Sequence, residues 1–170
     1  PPQLTEFYTD DVPTYEYDPA KAEALLDEAG YPRGEDGIRF KMVHDPLPFG
    51  PNFVRSAEVV KQNLAEVGIE LEIRTQDTPT YLRRIYTDYD FDMSSTTLSA
   101  LPDPTLGVQR LYWSKNIVEG VPFSNSSGYS NPEMDRILEA AQTENDKGKR
   151  VELFHQMQKL AQEDLPIIDL

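Results

Sequence analysis

The feature that most constrains this 170-residue chain is a strand–helix–strand run between Ile38 and Arg74. Ile38-Arg39-Phe40-Lys41-Met42 alternates apolar and charged side chains, the two-residue period of a half-buried strand. Phe53, Ala57, Val60, Leu64 and Val67 then recur at helical spacing, and Gly68 stops the stripe. Ile69 to Arg74 alternates again. Two strands joined through a helix with short connections form a βαβ unit, whose crossover is expected to be right-handed. The chain is therefore expected to be α/β, with a βαβ-containing sheet flanked by helices.

The remaining elements fit that frame. Residues 1–17 carry no helical or strand period and are expected to be an irregular lead-in. Asp18-Pro19 opens a helix, with Asp as N-cap and Pro at the first helical position. Ala22, Leu25, Leu26 and Ala29 share one face of it, and Gly30 ends it. His44 to Pro51 holds three prolines and a glycine and is read as a loop. A short helix is expected from Thr80 to Tyr86, a third strand from Phe91 to Leu98, and a short helix around Leu106 to Leu111. Asn131-Pro132 caps a helix with Met134, Ile137, Leu138 and Ala141 on one face. A last helix from about Asp146 to Glu163 buries Val151, Phe154, Met157, Leu160 and Ala161, and Leu165 to Leu170 reads as the start of a strand.

Charge and cysteine content narrow the chemistry. Lys and Arg total 16 against 30 Asp and Glu, a formal charge of −14 that repels nucleic-acid phosphates and anionic lipid heads. There are no cysteines, so disulfides, thiol catalysis and zinc–thiolate sites are excluded. No run of about 20 apolar residues is present to span a bilayer, and no signal peptide is visible. The start inside a Pro-Pro pair suggests a stretch excised from a longer chain, read as one domain over residues 1–170 and expected to be monomeric.

No catalytic or metal-binding constellation stands out. His44 and His155 lie far apart, without a second ligand at metal spacing. Asp88-Tyr-Asp90-Phe-Asp92 opens like a calcium loop, but the sixth and twelfth positions hold Met93 and Ser99 instead of Gly and Glu. Asn125-Ser126-Ser127 matches a glycosylation acceptor by three residues only. No metal and no cofactor is expected.

Binding chemistry concentrates after the third strand. Ligands of open α/β sheets sit beyond the carboxyl ends of the strands. That directs attention to 44–49, 76–80 and 96–104. Thr96, Thr97, Leu98, Ala100 and Asp103 leave the third strand there, and Arg110 and Trp113 follow. Neutral hydroxyls, a guanidinium that forks onto carboxylates and an aromatic surface suit a polar organic solute. Tyr112 and Trp113 equally fit the core of a short helix.

Several phrases in chain order resemble the family 5 extracellular solute-binding proteins of ABC importers. They are Tyr17-Asp18-Pro19-Ala20-Lys21-Ala22 with Leu25 to Pro32, Leu64 with Val67-Gly68-Ile69, and Tyr89-Asp90-Phe91-Asp92. Asp103-Pro104, Gly128 to Asp135, and Arg150 with Leu153-Phe154, Gln158 and Asp164-Leu165-Pro166 continue the series. The resemblance implies one lobe, the C-terminal one, of a type II periplasmic-binding-protein-like clamp that closes on its ligand. It implies a non-enzymatic, periplasmic or otherwise extracytoplasmic bacterial protein that hands a small peptide-like, opine-like or saccharide solute to ABC permease subunits. A sensory module built on the same lobe, and more remotely a carbohydrate-active enzyme, are the alternatives. Many peptide-binding members hold the ligand's amino terminus with an acid just before the Asp-Pro pair. Here Ala100 or Leu101 stands near that point, so the amine anchor is missing unless Asp103 substitutes for it.

Overall fold

The computed structural model describes residues 6–98 and 103–168. The elements run α1 (Pro19–Glu28), β1 (Phe40–Asp45), α2 (Pro51–Glu66), β2 (Ile69–Ile73), α3 (Thr78–Arg83), a π turn (Arg84–Asp88), β3 (Met93–Ser94), 3-10 turns at Val108–Leu111 and Ser114–Asn116, α4 (Pro132–Thr143) and α5 (Lys147–Asp164). They fall into two compact units, Glu16–Thr97, and Pro1–Tyr15 with Leu98–Leu170.

The first unit is built on the βαβ run. β1 and β2 pair in parallel from Phe40↔Ile69 to His44↔Ile73, and β3 adds to the other side of β1 at His44↔Met93 and Asp45↔Ser94. β1 therefore starts two residues later than the alternation suggests and runs on through His44 and Asp45, which the prolines had assigned to a loop. The reason is the ladder: β2 offers partners as far as Ile73, and the Arg74 amide still donates to the His44 carbonyl at 2.9 Å. Pro46 then has no N–H to give, so pairing stops. The same residue ends β3 after Ser94, and at its start the Val43 amide is taken by the Asp92 carboxylate at 2.7 Å, so β3 spans two residues where Phe91–Leu98 was expected. The core of this unit is formed by Ile69 and Leu71 of β2 with Ala57, Val67, Tyr81 and Ile85, all buried. The short helix expected over Thr80–Tyr86 starts at Thr78 behind the Asp77 N-cap and continues as the π turn. α1 forms behind its Asp18 cap as expected, but none of its residues is buried, and Leu25 on its apolar stripe remains 53 % exposed.

The second unit is helical. Asn131 and Asp146 cap α4 and α5 through side-chain oxygens that accept from Glu133 and Lys149 amides, each at 2.9 Å. The expected α4 face, Met134, Ile137, Leu138 and Ala141, is buried in full. On α5 the buried set is Phe154, Met157 and Ala161, while Val151 and Leu160 are only half-buried. Phe7 from the lead-in stacks edge-on against Phe154, with ring centres 5.4 Å apart, and the Arg150 guanidinium lies over both rings. Leu165 ends α5 in a left-handed conformation, φ 46°, with its amide on the Ala161 carbonyl. Residues 165–168 accordingly turn away instead of forming the expected strand, and residues 169 and 170 lie outside the described residues.

A helix cap contributes about 1 kcal/mol, whereas truncating a buried Phe costs about 3–5 kcal/mol. Packing of Phe154 therefore outweighs capping in this unit. Phe154→Ala is expected to lower unfolding stability by about 3–5 kcal/mol in a denaturant titration, and Asp146→Ala by about 1 kcal/mol.

Candidate functional site

At the carboxyl ends of β1 and β2 the chain leaves the sheet through two segments that border an open surface hollow of ≈ 300 Å³. Pro46, Pro48 and Val54 give it apolar walls, and Thr75 and Gln76 supply its polar atoms. Among the described residues no ionised side chain lines it. That absence is built, because the charges behind Gln76 are spent on one another.

Asp45, the last residue of β1, is fully buried. Its carboxylate takes both arms of the Arg74 fork, Nε at 2.9 Å and Nη2 at 2.8 Å. Gln76 Nε2 donates to the same carboxylate at 2.7 Å, and Arg84 Nη1 approaches to 3.8 Å. Arg84 Nη1 in turn donates to Gln76 Oε1 at 2.7 Å, and Asp90 faces both arginines, at 3.4 and 3.2 Å. A bidentate pair with its remaining lone pairs satisfied is the arrangement that offsets the desolvation of a buried charge. The Asp88/Asp90/Asp92 run is likewise consumed structurally: Asp88 pairs with Arg83, and Asp92 accepts the Val43 amide at 2.7 Å.

His44 is buried beside this cluster, with Nε2 2.8 Å from Ser95 Oγ and Nδ1 unpartnered. An unpaired buried N–H costs more than an unpaired lone pair, so the proton belongs on Nε2, donated to Ser95. Burial holds the ring below the ordinary histidine range, partly opposed by the charge of Asp45. Ser95 is fixed twice more, its amide on the Asp45 carbonyl at 3.1 Å and its own carbonyl accepting from Tyr81 Oη at 2.6 Å. A serine beside a histidine suggests a nucleophile and its base. Among the described residues no third group orients the ring through Nδ1, which the nucleophile–base–orienter pattern requires.

The seven residues marked by sequence are distributed over both units. In the sheet unit, Thr96 is half-buried with Oγ1 unpartnered, and Thr97 is exposed. In the helical unit, Leu98 is half-buried and Arg110 is exposed. Ala100 lies outside the described residues. Asp103 is engaged: Oδ1 accepts from Arg150 Nη2 and Thr105 Oγ1, both at 2.7 Å, and from the Thr105 amide at 3.0 Å. The hydrogen bond from Arg150, helped by those from Thr105, holds its carboxyl well below the usual range, at about 2. Trp113 is half-buried, donates Nε1 to Glu139 at 3.1 Å and carries Lys115 Nζ 5.7 Å from its ring centre. Tyr112 belongs to the core.

Sequence reasoning marked the stretches that hold Asp45 and Gln76 without singling out either residue, and it passed over Arg74. Their joint position at two strand ends was a usable signal only once β1 was known to reach Asp45. The glycosylation match is structural: Asn125 is buried, and its amide nitrogen donates to the Tyr129 and Trp113 carbonyls at 2.8 and 3.2 Å. Among the described residues no helix is long and apolar enough to cross a membrane, and no cluster of His, Cys, Asp and Glu is placed to hold a metal.

Comparison with known proteins agrees with this architecture. The profile of the bacterial extracellular solute-binding proteins, family 5 (Middle), matches residues 1–119. The chain is similar to the dipeptide-binding protein of Escherichia coli, at 31% identity over 163 residues, covering 95% of this chain and 29% of that protein. It therefore spans less than a third of the length of the curated relatives it matches. Among solved structures it resembles an ABC transporter-associated periplasmic binding protein of Helicobacter pylori in complex with a peptide, with TM-score 0.79, 26% identity, and 97% of this chain and 31% of that one covered. It also resembles the mannohexaose-bound periplasmic oligopeptide-binding protein of Thermotoga maritima, with TM-score 0.82, 25% identity, and 97% and 33% covered.

Two titrations follow from this geometry. A histidine whose folded pKa is lowered binds its proton more readily in the unfolded chain. Stability is therefore undiminished above about pH 6.5 and falls as pH drops below that value. His44→Gln is expected to flatten that slope in denaturant midpoints measured across pH. The Asp103 carboxyl, lowered instead, contributes stability above about pH 3.9 that is lost as pH falls toward its folded value. Arg150→Met is expected to raise its NMR titration midpoint toward 3.9.

Proposed function

This chain belongs to the bacterial extracellular solute-binding proteins of family 5, and from that premise we propose that the intact protein captures a small polar solute by clamp closure and delivers it to the permease of an ABC importer. The reading places it in the periplasm or elsewhere outside the cytoplasmic membrane and assigns it no catalytic step. The His44–Ser95 pair supports the second point, since its ring is buried and lacks an orienting partner. The solute biases an existing open–closed equilibrium by contacts it makes only in the closed state.

The observation that carries the choice of solute is the engagement of Asp103. In this segment it is the acid available to replace the missing amine anchor, and Arg150 and Thr105 already hold it. Freeing it to grip an ammonium group would leave the Arg150 charge without its carboxylate partner. We therefore assign the protein a solute without a free α-amine: a blocked peptide, an opine-like conjugate or an oligosaccharide. Relatives of nearly equal similarity hold a peptide in one case and mannohexaose in another, so overall likeness does not decide between these classes. Thr96, Thr97, Leu98, Ala100, Arg110 and Trp113 remain the proposed contacts on this lobe, with Arg110 offering a fork to a carboxylate.

The test is a titration of the intact protein, followed by tryptophan fluorescence, against alanyl-alanine, N-acetyl-alanyl-alanine, an opine and a mannooligosaccharide. A saturable change with one of the three solutes that lack a primary α-amine and none with alanyl-alanine is expected. Arg110→Ala is expected to weaken binding of a carboxylate-bearing solute about tenfold, the loss of roughly 1.5 kcal/mol from a charge-assisted hydrogen bond. A tight response to alanyl-alanine alone would remove the assignment of solute class, and no response to any solute would remove the capture reading.

A further inference from the structure

We infer that Asp45 is a positioning residue for solute capture, holding the three chain exits at the carboxyl edge of the sheet so that Gln76 presents an uncharged donor to a carbonyl or hydroxyl oxygen of the solute. The inference rests on the reading of that edge as ligand-facing. It adds to that reading a specific residue and the chemistry it imposes.

Three separate segments converge on this residue. Its own backbone leads into Pro46 and the apolar wall of the hollow. Its carboxylate fixes Arg74 and Gln76, which follow β2. Its carbonyl accepts the Ser95 amide at 3.1 Å, which sets the direction in which the chain leaves β3 toward Thr96 and Thr97. No other side chain among the described residues bonds to Gln76 except Asp45 and Arg84.

Those two bonds also settle the orientation of the Gln76 amide. Nε2 must face the carboxylate, because a carboxylate only accepts, and Oε1 must face the guanidinium, because a guanidinium only donates. A flip would set oxygen against oxygen and N–H against N–H. Gln76 lines the hollow with one N–H already committed to Asp45. The second N–H is the one free to donate, and it takes a neutral acceptor. The two guanidiniums are faced by the two carboxylates of Asp45 and Asp90, so each arginine charge at this edge has a counter-charge.

Hydrogen exchange of the intact protein, read by mass spectrometry with and without the substitutions, tests the inference without knowledge of the solute. Asp45→Asn is expected to speed exchange at least tenfold in three non-contiguous segments together, 47–50, 75–77 and 95–97, while Ala57 on α2 and Ile137 on α4 keep their protection. Gln76→Ala, the milder change, is expected to speed 75–77 alone and to weaken binding of N-acetyl-alanyl-alanine, the opine or the mannooligosaccharide, whichever the fluorescence titration identifies, about tenfold. If Asp45→Asn does not fold, Arg74→Lys replaces it: the charge stays and the fork is lost, with the same three segments expected to respond. Exchange confined to residues next to the substitution, or unchanged solute affinity in Gln76→Ala, overturns the positioning role. A three-segment response in a protein that binds no solute of the panel overturns its link to capture and, separately, the transport reading itself.

Discussion

The ion pair between Asp45 and Arg74 is the interaction on which the ligand-facing edge of this sheet depends. Asp45 stands where β1 must stop, since Pro46 offers no further N–H. The carboxylate is fully buried there, and an uncompensated charge in that position costs several kcal/mol. The fork of Arg74 and the amide of Gln76 supply the compensation. Such a pair adds little net stability over apolar packing, but it fixes direction, because each partner has one acceptable geometry. The edge is ordered by polar bonds where a sheet interior is ordered by apolar burial.

That difference explains the division of labour along the strands. Leu71 on β2 and Ala57 on α2 are buried by apolar contact and set the height of the sheet. Beyond Ile73 the apolar pattern ends, and Arg74, Gln76, Arg84 and Asp90 take over. In the other unit Arg150 does comparable work. It lies over Phe7 and Phe154, donates to the Ala141 carbonyl at 3.0 Å and holds Asp103. An acid that sequence alone would offer to a ligand is thereby spent on ordering its own loop.

The fold was largely legible in the sequence because its signals are local. The α4 stripe of Met134, Ile137, Leu138 and Ala141 and the Asn131-Pro132 cap are readable from spacing and residue type, and both form as read. Strand limits were less legible because they depend on a distant partner. His44 and Asp45 look like loop residues beside three prolines, yet the ladder to β2 and β3 makes them strand. The candidate site was legible as a region only. Arg74, Gln76 and Arg84 reveal nothing by spacing, since the buried carboxylate that gathers them lies about 30 to 40 positions earlier. Asp103 was legible as a charge, while its neutralisation by Arg150, 47 positions away, is a property of the folded chain.

The central claim is that this lobe belongs to a clamp that captures a solute lacking a free α-amine. Native mass spectrometry of the intact protein, purified without denaturation and then offered an equimolar mixture of alanyl-alanine, N-acetyl-alanyl-alanine, an opine and a mannooligosaccharide, puts it to the test. The account requires one solute per protein chain, drawn from the three that carry no primary α-amine. Exclusive retention of alanyl-alanine, or of no solute at all, would contradict it.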